Sequence, residues 1–255
     1  MKKKSTKEET NNIFITGADK KCEWLLPWWY RNYSANNNIP IIIADFGLSS
    51  QGLDWCEKNN LEVQKVEGSK GWHMKPSALS QINKGEKRVW IDVDCQVLKK
   101  IDDIFDYVVE DKLTCSEDTY HSWGCKWQTG VVGVMGNPEI LKEWEEKCLN
   151  PSGPYARGDQ ELLWELIKEK GKGYINRLPQ NFNWLRMALH YGHRHKDMRI
   201  VHWTGEKGKK IIISSIRNKK PTFKFCDGPG WTQKTNNPTS GYGGIDNPTN
   251  NQKIS

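Results

Sequence analysis

The sequence predicts an α/β protein in which helices flank a mixed, mostly parallel central sheet. Two observations lead to this fold class. Between residues 12 and 98, short apolar segments alternate with segments of helical periodicity, and short links join them, as in repeated βαβ units. Residues 40–45 (PIIIAD) are almost continuously apolar, which is typical of a strand buried on both faces of a parallel sheet.

The first half of the chain supplies three strand–helix repeats. We expect strands at residues 12–16, 40–45 and 61–66, and helices at 20–33, 53–59 and 75–85. The first strand ends in Gly17-Ala18-Asp19, which are turn residues. Pro27 lies within the first helical segment, where it predicts a kink or a break. Pro76 falls in the first turn of its helix, where proline is tolerated.

Residues 88–98 (RVWIDVDCQVL) carry the most informative pattern. Apolar residues alternate there with Trp90, Asp92 and Asp94, which predicts one strand with both carboxylates on the same side. Ligands of open α/β sheets bind outside the carboxyl ends of the strands, and paired carboxylates suit a hard divalent cation such as Mg²⁺ or Mn²⁺. The alternative for an isolated D-x-D is a solvated acidic turn.

Beyond residue 98 the order of elements becomes mixed. We expect strands at residues 113–116, 129–135 and 199–202, and helices at 138–148 and 158–170. In the strand at 129–135, Gly130 and Gly133 would allow another part of the chain to approach closely. The helix at 158–170 has the clearest apolar stripe, with Asp159 at its start and Gly171 at its end.

Composition excludes several classes of protein. The chain has 255 residues, of which 36% are apolar and 13 are tryptophan, so it can bury a sizeable core. Its seven cysteines include no C-x-x-C pair, so neither a disulfide framework nor a zinc site is indicated. The lysines at positions 2–4 precede a polar segment, and no apolar run approaches the roughly 18 residues of a membrane span. We therefore expect a soluble, cytoplasmic protein.

The net charge of +7 is spread over short lysine clusters. This distribution favours a pocket that handles phosphate groups, and we do not expect nucleic acid as a partner. The chain contains neither G-x-G-x-x-G nor G-x-x-x-x-G-K-[ST], so the common dinucleotide and P-loop sites are not indicated.

Five stretches together resemble, in the right order, the motifs of GT-A glycosyltransferases. The resemblance is strongest to the retaining family-8 type, which includes glycogenin and bacterial lipooligosaccharide galactosyltransferases. The stretches are residues 13–19, 75–79, 91–94, 128–135 with 158–160, and 201–205. The resemblance implies a GT-A (Rossmann-like) nucleotide-diphospho-sugar transferase fold for residues 12–220, between a flexible tail at 1–11 and an irregular, Gly/Pro/Asn-rich extension at 221–255.

The resemblance also implies a metal site. Asp92 and Asp94 look like the D-x-D that binds Mn²⁺ or Mg²⁺ and, through it, the donor diphosphate, with Asp92 on the donor side. His202 matches the third metal ligand of the family, and its alternative is a histidine of the core. One imidazole with two carboxylates suits Mn²⁺ better than Mg²⁺.

The donor contacts follow from the same comparison. Thr16, Gly17 and Asp19 lie where the family binds the base and ribose, although they also fit a simple capped turn. Lys75 matches a cation that contacts the donor phosphate or sugar, and Gln128 stands where the family usually has Asn. The family's pattern H-x-x-G-x-x-K includes Gly205 but has Gly208 in place of its lysine, so we expect Lys207 or Lys209 to replace it.

Asp159 and Gln160 look like the D-Q pair that faces the donor sugar and its anomeric carbon. Neither need be a covalent nucleophile, because in a front-face mechanism the leaving diphosphate helps to deprotonate the acceptor. The alternative for Asp159 is a helix cap. Four tryptophans are candidates for stacking on an acceptor sugar, against the alternative of core packing: Trp123, Trp127, Trp184 and Trp203.

The expected function is thus metal-dependent transfer of a hexose from a nucleotide-sugar, a UDP-sugar by family likeness, to a hydroxyl of a glycan or other acceptor, with retention. A non-catalytic carbohydrate- or nucleic-acid-binding module on the same fold is the main alternative. A sugar nucleotidyltransferase would need a longer, more basic loop after the first strand. A glycosidase would need two carboxylates flanking a bond, which Asp92 and Asp94 are too close together to do.

Overall fold

The structure is a computed structural model that describes residues 12–120, 124–153 and 157–222. Its strands are β1 (Ile13–Ala18), β2 (Ile41–Asp45), β3 (Glu62–Lys65), β4 (Lys87–Ile91), β5 (Cys95–Val97), β6 (Leu113–Glu117), β7 (Trp127–Met135), β8 (Ile175–Leu178), β9 (Trp184–Leu185) and β10 (Ile200–His202). Its helices are α1 (Leu26–Ser34), α2 (Ser50–Lys58), α3 (Met74–Gln81), α4 (Glu139–Leu149), α5 (Asp159–Lys170), α6 (Arg186–His190) and α7 (Gly205–Asn218). The expected tail at 1–11 and all but two residues of the extension at 221–255 lie outside the described residues.

Seven strands form the main sheet in the order β3-β2-β1-β4-β7-β6-β8. All neighbours are parallel except that β7 runs antiparallel to both β4 and β6. The predicted fold class, a mixed and mostly parallel sheet flanked by helices, is therefore confirmed. The inverted β7 also brings its own beginning to the edge where β1, β4 and β6 end.

The main sheet has a hydrophobic core on each face, because successive strand residues point to opposite sides. Phe14 and Ile43 face α1, α2, α7 and a second sheet of three strands. Ile15 and Ile42 face α3, α4 and α5 on the other side. The second sheet has the order β5-β10-β9 and packs into the first of these cores. No helix of the described ranges is both long and apolar enough to cross a membrane.

The predicted strand is present and has the acidic pair at its end, as expected, but it does not continue through residue 98, because the segment 88–98 forms two strands in different sheets. β4 ends at Ile91, and β5 begins at Cys95 and pairs with β10. Between them Asp92 and Asp94 lie in a tight turn, in which the amide of Cys95 donates to the Asp92 carbonyl at 2.9 Å. Alternating polarity continues through this turn, so period two alone does not reveal the break.

Other elements differ in their limits. Of the kink or break predicted at Pro27, the structure has a break: a separate 3-10 turn at Glu23–Leu25 precedes α1, which begins at Leu26 and so has proline in its first turn. The helix α3 ends at Gln81, short of Gly85. Sequence reasoning assigned no elements to the segments that form β8, β9, α6 and α7.

Candidate active site

The candidate site lies at the edge of the main sheet where the parallel strands end. Asp92 follows β4, Asp118 follows β6, and Gln128 lies at the beginning of the antiparallel β7. Lys75 comes from α3, and Asp159 is the first residue of α5. Carboxyl ends of parallel strands meet at one edge of a sheet, so five elements contribute side chains to one place.

Lys75 joins two of the predicted residues. Its Nζ lies 3.1 Å from Asp92 Oδ1 and 2.9 Å from Asp159 Oδ2, and donates to the carbonyl of Thr129 at 2.7 Å. Burial alone would lower the pKa of Lys75, but the two carboxylates more than offset this and raise it, so the amine stays charged. In this structure its partners are protein groups, and a contact with the donor stays a prediction.

His202 comes to the same turn from the second sheet. Its backbone pairs with Cys95, and its Nε2 lies 3.3 Å from Asp94 Oδ1 and 3.6 Å from Asp92 Oδ2. A side chain at Gly130 would overlap the imidazole ring, so the close approach expected at this glycine is made by His202. Burial disfavours the imidazolium, but the Asp94 and Asp92 carboxylates raise the pKa of His202 above its ordinary value.

These residues fit a divalent cation. Ligand atoms of Asp94, Cys95 and His202 all lie within 4.8 Å of one another, and the second imidazole nitrogen of His202 is buried with no hydrogen-bond partner among the described residues. The Cys95 thiol donates to the Gly130 carbonyl at 3.8 Å, and burial with the nearby Asp92 and Asp94 raises its pKa far above the ordinary value. The Asp94 carboxylate and the imidazole would be joined by the Asp92 carboxylate, whose Oδ2 lies 3.6 Å from His202 Nε2, and two carboxylates with one imidazole form a donor set that suits Mn²⁺.

A second cluster is centred on Asp118, which sequence reasoning missed. Gln128 Nε2 donates to Asp118 Oδ2 at 2.7 Å, and Gln160 Nε2 lies 3.4 Å from the same oxygen. The three side chains therefore join two predicted positions around one fully buried carboxylate. The sequence does carry a signal for Asp118, an acidic residue directly after a strand, which is the signal that drew attention to Asp92.

Asp159 is not the cap of α5. The N-cap position is occupied by Gly158, with no side-chain capping bond, and the Asp159 carboxylate is turned to Lys75. Its carbonyl accepts from the indole of Trp144 at 2.8 Å, which anchors the start of α5 on α4. The alternative of a helix cap is therefore wrong for this residue.

The three residues predicted to bind the base and ribose lie at the end of β1 and make structural contacts. Thr16 is fully buried. A Cβ on Gly17 would lie 2.7 Å from the carbonyl of Ala44, so glycine allows β1 and β2 to pack. Asp19 Oδ1 accepts from the amides of Lys21 and Cys22, both at 3.0 Å, as in a capped turn. A role of these residues in donor binding stays a prediction.

The start of α7 separates the two candidate lysines. Gly205 opens the helix, and a side chain at Gly208 would overlap the carbonyl of Trp203, so no lysine fits there. Lys207 is exposed. Lys209 is half-buried with its Nζ 5.7 Å from the centre of the Trp72 ring, and its charge contributes to lowering the pKa of Asp94. Of the two lysines, Lys209 is therefore the one whose charge acts on the candidate metal ligand Asp94.

The four tryptophans that were candidates for stacking on a sugar lie in different environments. Trp203 is fully buried and donates from its indole to Gln96 Oε1 at 3.1 Å, and Trp127 is buried as well. Both belong to the core. Trp184 is half-buried and lines a cavity, whereas Trp123 lies outside the described residues.

Comparison with solved structures identifies the fold. The galactosyltransferase LgtC, solved in complex with donor and acceptor sugar analogues, is 17% identical over 76% of this chain and 87% of its own, with a TM-score of 0.54. The glycosyltransferase GlyE of Streptococcus pneumoniae TIGR4 is 14% identical over 77% of this chain and 55% of its own, with a TM-score of 0.58. The bifunctional glycosyltransferase WbbM is 11% identical over 78% of this chain and 46% of its own, with a TM-score of 0.54.

No protein-family model matches the chain, and no curated protein does. At such low identities the structural similarity shows the fold and leaves the chemistry to the residues of the site. The chain accordingly has the GT-A fold that its ordered motifs indicated, and it is similar in structure to glycosyltransferases of that fold.

Proposed function

We propose that this protein is a metal-dependent glycosyltransferase that moves a hexose from a nucleotide-sugar, UDP-linked by resemblance, to an acceptor hydroxyl with retention. The observation that carries the proposal is the convergence of Asp92, Asp94 and His202 from two different sheets, directly beside Lys75 and Asp159. A solvated acidic turn would not need buried basic partners, whereas the turn at Asp92 and Asp94 has two, Lys75 and His202.

In the proposed site Asp92, Asp94 and His202 would hold Mn²⁺ or Mg²⁺. When bound, such a cation supplies positive charge that stabilises the diphosphate as it leaves. Lys209, on the first turns of α7, adds a second positive charge at the same side. The remaining residues orient the donor, because rigid strand ends and helix starts hold them.

Asp159 is better placed to orient the donor sugar than to attack it. Its Oδ2 lies 2.9 Å from the ammonium of Lys75, and a carboxylate paired with a buried cation is a weak nucleophile. Gln160 and Gln128, both within reach of Asp118, can bind sugar hydroxyls with their remaining amide groups. This arrangement supports a front-face transfer in which the leaving diphosphate accepts the proton of the acceptor hydroxyl.

A thermal-shift panel tests the proposal. Nucleoside diphosphates and their sugars would be added with and without Mn²⁺ to the wild type, to Asp94→Asn, and to the control Asp54→Asn, an exposed position on α2. A ligand at about 100 times its dissociation constant stabilises by about 2.7 kcal/mol, which moves the Tm of a domain of this size by roughly 5–10 °C. We expect one nucleotide to raise the Tm of the wild type in the presence of Mn²⁺. The same increase should occur in Asp54→Asn and be absent in Asp94→Asn.

Release of the nucleoside diphosphate from the donor that shifts the Tm would then measure turnover. A folded protein that responds to no nucleotide would contradict the proposal. Binding of glycans without any nucleotide response would favour the non-catalytic carbohydrate-binding module.

A further inference from the structure

The first carboxylate of the acidic pair is held by an indole. Trp90 is the second-last residue of β4, and Asp92 follows the strand directly. Because successive strand residues alternate between the two faces, positions 90 and 92 share one side of the sheet. The Nε1 of Trp90 donates to Asp92 Oδ1 at 2.6 Å, a short hydrogen bond of the kind made to a charged acceptor.

The two oxygens of the Asp92 carboxylate have different neighbours. Oδ1 accepts from the Trp90 indole and lies 3.1 Å from the ammonium of Lys75. Oδ2 lies 3.4 Å from the same ammonium and 3.6 Å from His202 Nε2. Oδ2 is therefore the oxygen turned toward the other candidate metal ligand, and Oδ1 is the oxygen that the indole engages.

The indole that makes this contact is itself firmly held. Trp90 is 3% exposed and packs in the core between the main sheet and α3, α4 and α5. Its ring stacks on Phe46, with the ring centres 5.9 Å apart and the planes at 21°. Its backbone lies between Ile15 of β1 and Val132 of β7 in the middle of the sheet. A donor fixed in this way also fixes the orientation of the carboxylate that accepts from it.

The alternative is that Asp92 merely satisfies a buried indole. The fold does not require such pairing, because the indole nitrogens of Trp29 and Trp127 are buried with no partner among the described residues. The turn does not depend on the indole either, since the amide of Asp92 already donates to the Gly130 carbonyl at 2.8 Å. What the indole adds is a fixed orientation of the carboxylate.

We propose that Trp90 is a positioning residue of the candidate metal centre: its indole N–H holds Asp92 Oδ1, so that Oδ2 stays turned toward His202. The inference rests on the proposed function, since it needs a divalent cation at Asp92, Asp94 and His202. It adds that the affinity for the cation depends on a residue that does not touch it. Hydrogen-bond partners of metal ligands commonly contribute roughly 10–100-fold to metal affinity, so the effect is measurable.

The test removes the N–H group and keeps the ring. Site-specific replacement of Trp90 by benzothienylalanine exchanges the N–H for sulfur and keeps nearly the shape of the indole. Trp90→Phe is the genetically simpler counterpart, which also loses volume. Trp29 on α1 receives the same two replacements as a matched control, because it is fully buried and its indole has no partner to lose among the described residues.

The probe is MnCl₂ alone, with free Mn²⁺ measured by electron paramagnetic resonance. We expect both replacements of Trp90 to weaken Mn²⁺ binding by roughly tenfold or more. Both replacements of Trp29 should leave the Mn²⁺ affinity unchanged, although Trp29→Phe, like Trp90→Phe, should lower the Tm through the lost volume. The Mn²⁺ affinity thus separates positioning from packing, which the Tm does not.

A measurement without metal checks the contact itself. In a two-dimensional proton–nitrogen NMR spectrum, the indole signal of Trp90 is the one that disappears in Trp90→Phe. We expect it downfield of the Trp29 indole signal, because a charged acceptor makes the stronger hydrogen bond. It should move upfield in Asp92→Asn, where the acceptor loses its charge. An indole signal that does not respond to Asp92→Asn would contradict the contact and overturn the inference.

The outcomes distinguish the inference from the proposed function. Wild-type Mn²⁺ affinity after replacement of Trp90 by benzothienylalanine would overturn the inference and assign Trp90 to packing alone. The proposed function would still stand if Asp94→Asn abolished Mn²⁺ binding in the same assay. Absence of Mn²⁺ binding by the folded wild type would instead contradict the metal-dependent transferase, and the inference with it.

Discussion

At the scale of single residues, Lys75 holds the charge balance of the candidate site. Its side chain is only 5% exposed, and it is in contact with Asp92 and Asp159, whose side chains are 24% and 9% exposed. Isolated buried charges are costly, so each of the three depends on the others. The resemblance predicts that Lys75 contacts the donor, but only the structure shows that its ammonium links the candidate metal ligand Asp92 to Asp159.

Replacing Lys75 by Met should therefore destabilise the protein by about 3–5 kcal/mol, because it leaves two buried carboxylates without their cation. Urea unfolding followed by circular dichroism measures the free energy of unfolding. The double variant Lys75→Met/Asp159→Asn removes one of the stranded charges and should recover part of that loss. A single variant as stable as the wild type would show that the carboxylates do not need Lys75.

Gly130 and Gly133 offer a matched pair on one strand. A Cβ on Gly130 would overlap the ring of His202, and a Cβ on Gly133 would lie 2.5 Å from Val108 Cγ2, away from the site. Each change to Ala should destabilise by about 1–3 kcal/mol through overpacking.

Only Gly130→Ala should also weaken Mn²⁺ binding, because His202 must move. Isothermal titration with MnCl₂ separates the two variants. Equal Mn²⁺ affinity in both would mean that the imidazole is not a ligand.

At the scale of elements, α7 determines which of the two candidate lysines lies toward Asp94. The close packing of Gly208 on the carbonyl of Trp203 fixes the rotation of the helix, which leaves Lys207 exposed and brings Lys209 toward Asp94. We expect Lys209→Ala to weaken binding of the nucleoside diphosphate by roughly tenfold, as for the loss of one charge-assisted contact.

Lys207→Ala is the matched control, since it removes the same charge from the same helix. Its diphosphate affinity should stay close to that of the wild type at 0.15 M salt, where exposed charges are largely screened. If Lys207→Ala lost more affinity for the nucleoside diphosphate than Lys209→Ala, Lys207 would be the residue that contacts the diphosphate.

A polar cluster fastens the beginning of β10 to the segment that follows β5. Asp197 accepts from Lys99 at 3.0 Å and from Arg199 at 3.1 Å, and Arg199 also pairs with Asp103. Hydrogen bonds from Lys99 and then Arg199 lower the pKa of Asp197 to about 2, against about 3.9 for an unfolded Asp. A lowered pKa stabilises the fold above the unfolded value and loses that effect as the pH falls toward 2.

Asp197→Asn should accordingly lower the Tm at pH 6, and the difference from the wild type should shrink between about pH 4 and pH 2. Lys99→Met should reduce the same difference, because it removes the first of the two donors. A Tm difference that stays constant down to pH 2 would show that the pKa of Asp197 is not lowered. Thermal melts at fixed ionic strength make this measurement.

At the scale of the whole molecule, the two sheets share one hydrophobic core. Val97 and Ile200 of the second sheet pack in the same cluster as Phe14 and Ile43 of the main sheet. The candidate metal ligands are divided between these sheets, since Asp92 follows β4 and His202 ends β10. Metal binding then needs both sheets in place, and its free energy adds to the stability of the whole fold.

We therefore expect a single unfolding transition that Mn²⁺ moves as a whole. Far-ultraviolet circular dichroism and tryptophan fluorescence should give the same midpoint with and without MnCl₂. Two transitions, of which only one responds to Mn²⁺, would show that the sheets unfold separately. Asp94→Asn serves as the control in which the shift should disappear.

The sequence by itself determined the alternation of strands and helices in the first half of the chain and the positions of α4 and α5, but not β8, β9, α6 and α7. Apolar runs and turn residues act over a few positions, so β1, β2, α4 and α5 were predictable close to their observed limits. The order of the short motifs along the chain indicated the fold. The alternation at residues 88–98 did not reveal where β4 ends and β5 begins, because the period of two continues through the turn that holds Asp92.

Only the tertiary structure decided which side chains meet. Lys75 and Thr129 lie 54 positions apart in sequence, and the contact between them follows from the packing of α3 against the end of the sheet. The burial of Asp118 and the difference in exposure between Lys207 and Lys209 likewise depend on neighbours that no local pattern encodes. Pairing and desolvation are properties of the packed chain, whereas periodicity is a property of the segment.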